Sequence, residues 1–271
     1  MIRYPVKIDF GEADSGLQRA RVAAHHSRLP YPGDGFLPVQ QLEGTPHQVL
    51  IDDRPAGLIV IKDEILMFCV LSAATRRYHR QAVEAALRRF GVTTAYVLSW
   101  DAVQLDLIGN FAREIANQAY QFQVLDPAEL RTEPGPGDPL ADLALSPATA
   151  ADLPYLTGAD FIDDYSDLLP AGRVRIARWD GRPAGIGLLV PHPLHDGVVD
   201  LGMFTEPEFR RRGVGRTVIA AAARETVRRE LTPVAGCWWR NRESRHTLEA
   251  AGLTCVGTIF RLTLDPDRFA D

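Results

Sequence analysis

At 271 residues, 46% of them hydrophobic, the chain can bury a core sized for one large or two ordinary domains. A net charge of −5 disfavours a nucleic-acid-binding surface. The longest clean apolar run, residues 65–71, is far short of the about 20 residues that span a bilayer.

The opening segment, residues 1–7, has no apolar signal core, and the expected location is cytoplasmic. The three cysteines, Cys69, Cys237 and Cys255, are sparse and odd in number, so they read as reduced core residues and not as a disulfide frame or metal site. Residues 49–51 and 58–60 read as strands joined by a tight turn, Asp52-Asp53-Arg54-Pro55-Ala56-Gly57. An apolar strand at 65–71 leads to an arginine-bearing turn at 76–80 and a helix over 81–90. A strand over 95–100, ending at Trp100, precedes a further helix.

Thr132-Glu133-Pro134-Gly135-Pro136-Gly137-Asp138-Pro139 has the Pro/Gly composition of a linker, which predicts domains at 1–131 and 140–271. Beyond it the series of elements recurs. Arg54-Pro55-Ala56-Gly57 returns as Arg182-Pro183-Ala184-Gly185, a shift of 128 residues. A strand at 198–204, an arginine-bearing turn, a helix at 217–231 and a tryptophan-bearing buried strand at 234–239 follow. The preserved order predicts a duplicated α/β (α+β) fold with two domains, each a mixed, largely antiparallel sheet flanked by helices. Between strands, His192-Pro193-Leu194-His195 is a weak metal spacing without further ligands and reads as a loop; no metal is expected.

Arg210-Arg211-Arg212-Gly213-Val214-Gly215-Arg216 joins a strand to a helix. A glycine-punctuated turn there aims several backbone N–H groups at one spot, and the helix N-terminus adds about half a positive charge. The position where a P-loop carries lysine holds none, and the third glycine of a dinucleotide fingerprint is replaced by Val218. Downstream, Asn241 is placed to cap a helix that ends before Gly252, and residues 254–264 return as a strand.

Arg210, Gly213 and Gly215, followed by Asn241, Ser244, Gly252 and Leu253, resemble the two cofactor motifs of the GNAT superfamily of N-acetyltransferases, over about residues 140–265. The tandem arrangement also resembles mycothiol synthase in architecture. In the first copy Tyr78 and Arg80 stand where Gly213 and Gly215 stand, which predicts a degenerate N-terminal domain. The resemblance implies acetyl-CoA as co-substrate and direct attack by an amine. It implies that the backbone of Met203, Phe204 and Thr205 holds the pantetheine arm and that Arg210, Arg211, Arg212, Gly213, Val214, Gly215 and Arg216 hold the pyrophosphate. Asn241 either contacts the cofactor arm, caps the helix, or does both.

Asp200 and Glu206 are the candidate general bases, with Glu208 nearby. Where many members of the family carry a general-acid tyrosine, this chain has Leu248, and His246 falls on another face of the helix. An acidic loop, Asp160-Phe161-Ile162-Asp163-Asp164-Tyr165-Ser166-Asp167, occupies the acceptor position in the family. The expected acceptor is the amine of a small molecule or peptide, with no nucleic-acid or membrane partner and a monomer or homodimer. An acyl-CoA-binding regulatory module, or a transferase for another acyl group, is the alternative.

Overall fold

The computed structural model describes residues 6–159 and 161–267. In chain order the elements are β1 (Ile8–Glu12), α1 (Ser15–His26), α2 (Phe36–Glu43), β2 (Thr45–Ile51), β3 (Arg54–Lys62), β4 (Ile65–Leu71), α3 (His79–Phe90), β5 (Thr94–Leu98), α4 (Ala102–Ile108) and β6 (Ala112–Gln123). Then come β7 (Ala144–Pro147), α5 (Leu153–Gly158), β8 (Val174–Trp179), β9 (Arg182–Pro191), β10 (Val198–Thr205), α6 (Val214–Arg228), β11 (Thr232–Trp238), α7 (Arg242–Ala250) and β12 (Thr254–Leu264). This is the mixed, mostly antiparallel α/β architecture that the sequence predicts.

The chain forms two compact units, residues up to 120 with those from 257 onward, and residues 121–256. In the first unit the strand order is β1-β2-β3-β4-β5-β12, antiparallel except for β4 with β5. In the second unit β11-β10-β9-β8-β7 is antiparallel except for β10 with β11. β3 is a nearly continuous apolar run, Leu58-Ile59-Val60-Ile61, because both of its faces are covered.

The far end of β12 does not stay with residues 121–256, as a boundary at 132–139 would require. Residues 259–263 pair with residues 98–94 of β5, and Leu262 and Leu264 are buried in the core built on α3 from Ala82, Val83, Ala86 and Leu87. A linker composition marks where the chain is irregular, but burial of apolar side chains decides which core a strand completes.

The recurrence at 128 residues is structural as well as sequential. The β2–β3 turn places Asp52 and Asp53 at φ 49° and 62°, and the β8–β9 turn places Asp180 and Gly181 at 51° and 74°. These left-handed pairs match the twist of a two-residue hairpin. A bulge falls between Val49 and Leu50 in β2 and between Ala177 and Arg178 in β8. Gly57 and Gly185 are required by close approach: a Cβ on Gly57 would meet the backbone of Val70, and one on Gly185 would lie 2.5 Å from the Phe204 carbonyl oxygen. In each copy glycine lets β3 or β9 press against the strand beside it.

Leu262→Ala should cost roughly 2–5 kcal/mol of stability in urea denaturation, as for other fully buried leucines. The same variant should speed amide exchange in β2 to β5. Faster exchange confined to residues 121–256 contradicts this packing.

Candidate active site

Two strands that part create the site. β10 and β11 pair in parallel only at Val198–Thr232, Val199–Pro233 and Asp200–Val234. β10 continues to Thr205, held on its other side by β9 from Val199 to Thr205. The edge of residues 201–205 that faces away from β9 therefore has no bonded strand among the described residues. Alternation along β10 sorts its side chains. Met203 packs on the α6 side with Val214 and Val218, whereas Phe204 packs on the opposite side against Phe161, with ring centroids 5.7 Å apart. Asp200, two pairs of residues before Phe204, shares its face.

After β10 the loop is pinned at two points. Phe209 is buried beside Trp179, and Arg210 Nε donates to the Thr205 carbonyl at 3.1 Å. Arg211 and Gly213 then take left-handed conformations, φ 60° and 91°, and Gly213 is the N-cap of α6 with no side-chain cap bond. The first bond of the helix runs from Thr217 N–H to the Gly213 carbonyl, 3.1 Å. The six amides from Arg211 to Arg216 thus show no backbone acceptor among the described residues, and they lie at a helix N-terminus.

The glycines keep this cradle open. A Cβ on Gly213 would lie 3.0 Å from Arg216 Nε, and one on Gly215 would lie 2.9 Å from Thr205 Oγ1 and 3.1 Å from Met203 Sδ. Arg216 Nε is itself buried with no hydrogen-bond partner. Amides without a backbone acceptor, a glycine-lined approach and an orphaned buried guanidinium nitrogen fit a phosphate-bearing ligand. The arginines divide the work: Arg210 ties the loop to β10, Arg212 lies over the Trp179 ring at 6.0 Å, and Arg216 faces the cradle.

Across the parting, Asn241 caps α7, its Oδ1 accepting from Ser244 N at 3.0 Å. Leu248 is buried, whereas Thr247 approaches the cradle, its Cγ2 3.3 Å from a Cβ built on Gly215. His246 is exposed, 3.7 Å from Glu249. Trp238 and Trp239, expected in a buried strand, are 53% and 38% exposed, with Arg240 stacked over both rings at 5.7 and 4.8 Å. They stand at the end of β11 beyond its last pairing with β10, and no local pattern in the sequence announces that parting.

The candidate bases separate. Glu208 is exposed and paired with Arg182 at 2.5 Å. Glu206 lies beside the Tyr155 hydroxyl. Burial, reinforced by that carboxylate, raises the Tyr155 pKa well above the usual phenol value. The hydroxyls of Tyr155 and Tyr165 are both buried; sequence reasoning placed Tyr165 in the acceptor loop and gave Tyr155 no role. In the acidic loop Asp164 caps Ser166, accepting from its N–H and Oγ–H at 2.8 Å each, while Phe161 and Tyr165 turn inward. Asp160 lies outside the described residues.

Residues 139–252 match the model of the acetyltransferase (GNAT) family. That segment is similar to the GNAT family, and the match supports acyl transfer as the general class of chemistry. No curated protein matches the sequence. Among solved structures, a GNAT-family acetyltransferase from Colwellia psychrerythraea superposes with a TM-score of 0.81 at 14% identity, covering 96% of this chain and 100% of its own. A tandem GNAT protein from the clavulanic acid biosynthesis pathway gives 0.56 at 12%, covering 95% and 98%. A GCN5-related N-acetyltransferase from Kribbella flavida gives 0.53 at 16%, covering 93% and 98%. These likenesses establish the fold over nearly the whole chain.

Because the folded state holds the Tyr155 proton more tightly than the unfolded chain, this contribution to stability is complete below about pH 10 and is lost as pH rises further. Urea midpoints at pH 8 and pH 11 should therefore differ less in Tyr155→Phe than in the parent. An equal loss in both would remove Tyr155 from the account.

Proposed function

We propose that this chain is an acetyl-CoA-dependent N-acetyltransferase acting on a primary amine of a small molecule or peptide, in the cytoplasm. The observation that carries the reading is the run of amides at residues 211–216 with no backbone acceptor, set beside the open edge of β10. The amides and Arg216 would take the pyrophosphate, with charge-assisted bonds stronger than neutral ones. The open edge of residues 201–205 would receive the pantetheine amides as an added strand would, and one of its N–H groups would polarise the thioester carbonyl. Asn241 keeps its amide nitrogen for the same arm while its oxygen caps α7.

In the reaction the amine nitrogen attacks the acetyl carbon, the carbon–sulfur bond breaks, and CoA leaves as thiolate. The proton lost by the amine passes to a base. Asp200 suits this role better than Glu206, because it sits at the last paired position before the strands part and shares a face with Phe204 and Phe161. Leu248 has no proton to give, so solvent water protonates the thiolate, a tolerable leaving group. The same leucine favours a second reading, an acyl-CoA-binding module with little turnover.

Acetyl-CoA and CoA should both raise the melting temperature and NAD should not. The gain is about 2.7 kcal/mol at a hundredfold excess over the dissociation constant. Gly213→Val should abolish the shift, since its side chain would enter the cradle at a left-handed φ. No shift with either CoA species in the parent sinks both readings. Asp200→Asn should keep the shift and lower kcat by about 10²–10⁴ in an amine-dependent thiol-release assay. Unchanged turnover in this variant removes Asp200 as the base. A shift without turnover over a broad amine panel favours the binding module.

A further inference from the structure

The N-terminal unit has a cleft of its own with different chemistry. β4 and β5 pair in parallel only at Ile65–Thr94 and Leu66–Ala95 and then part. At that parting lies a cavity of about 320 Å³, walled by Val70 and Leu71 at the end of β4 and by Trp100 beyond β5. This volume is at the low end for small-molecule sites.

The cavity is not a second acyl-CoA site. Tyr78 takes the place of Gly213 as the residue before the helix, at φ −99°, and Arg80 takes the place of Gly215. Side chains stand where the other loop exposes backbone.

What the cavity has instead is a buried dyad. His25 Nε2 lies 2.5 Å from Asp101 Oδ2, with the side chains only 9% and 6% exposed. Asp101 is fixed in turn, its Oδ1 accepting from Gln104 N at 3.1 Å. A carboxylate at Nε2 holds the proton on that nitrogen, which leaves Nδ1 an acceptor, so the dyad shapes the wall of the cavity and does not itself take up an anion. Arg28 and Arg76 also line the cavity, and neither guanidinium is paired with a carboxylate among the described residues. Two cations against one carboxylate leave the cavity net positive even with His25 neutral, which selects an anion over an amine. The apolar walls and Trp100 select a ligand with an apolar body.

We propose that the N-terminal unit binds a small organic carboxylate, its carboxyl group held by Arg28 and Arg76 and its apolar part against Val70, Leu71 and Trp100. The site is independent of the acyl-CoA reading of the other unit. The test is titration of the full chain with 3-phenylpropionate, followed by amide and indole NMR. Saturable shifts at His25, Arg76 and Trp100 are expected. Arg76→Glu, on an exposed turn, should weaken binding at least about tenfold, as should Arg28→Glu, with unchanged melting temperatures. The neutral analogue 3-phenylpropanol should bind about tenfold or more weakly.

The proposal is overturned if phenylpropionate leaves these signals unmoved, or if its shifts fall on residues 201–216. It is also overturned if both arginine variants bind like the parent. Equal binding of the alcohol would mean an apolar cavity without anion recognition, and equal binding of inorganic phosphate would mean that the apolar walls select nothing; either result also overturns it.

Discussion

The parting of β10 from β11 after Asp200 is the constraint on which the C-terminal unit depends. A parallel ladder satisfies backbone groups on both strands, so ending it early leaves β10 with an open edge that must be held straight by other means. β9 supplies these along the whole strand, and α6 adds packing through Val218 against Gly187. The loop that follows cannot drift, because Phe209 is buried and Arg210 grips the Thr205 carbonyl. The amides at residues 211–216 are thus presented by a scaffold that is complete without them. This is how a binding site keeps unsatisfied donors ready without local collapse.

The two units share one backbone plan. The hairpin turns, the bulges and the glycines that press β3 and β9 onto the neighbouring strands recur at a shift of 128 residues. Both units part their parallel strands. The difference lies at the helix N-terminus beyond the parting. Glycine at 213 leaves the backbone uncovered, whereas tyrosine at 78 fills the same position with a side chain. In the cavity proposed for the first unit, recognition moves off the backbone and onto Arg28 and Arg76, which suits a smaller ligand.

Much of this was legible in the sequence because it is local. The apolar run at 65–71 is β4, the return at 254–264 is β12, and Asn241 caps α7, since periodicity and capping act within a few residues. α6 begins at Val214 and not at 217, because Gly213 ends the turn by its left-handed φ and the helix starts at once. The exposure of Trp238 and Trp239 could not be read in this way. A tryptophan on an apolar strand is buried only if a neighbour covers it, and β10 has moved away.

The sequence by itself determined the order of elements, the glycine-punctuated loop, the duplication of plan and the loss of glycine in the first copy. Each rests on residue types at fixed short spacings. Only the tertiary structure decided that β12 completes the core of the first unit, that Asp200 rather than Glu208 stands at the parting, and that His25 meets Asp101. These depend on which surfaces are buried together, and residues 76 positions apart are brought within 2.5 Å by a core that no local pattern encodes.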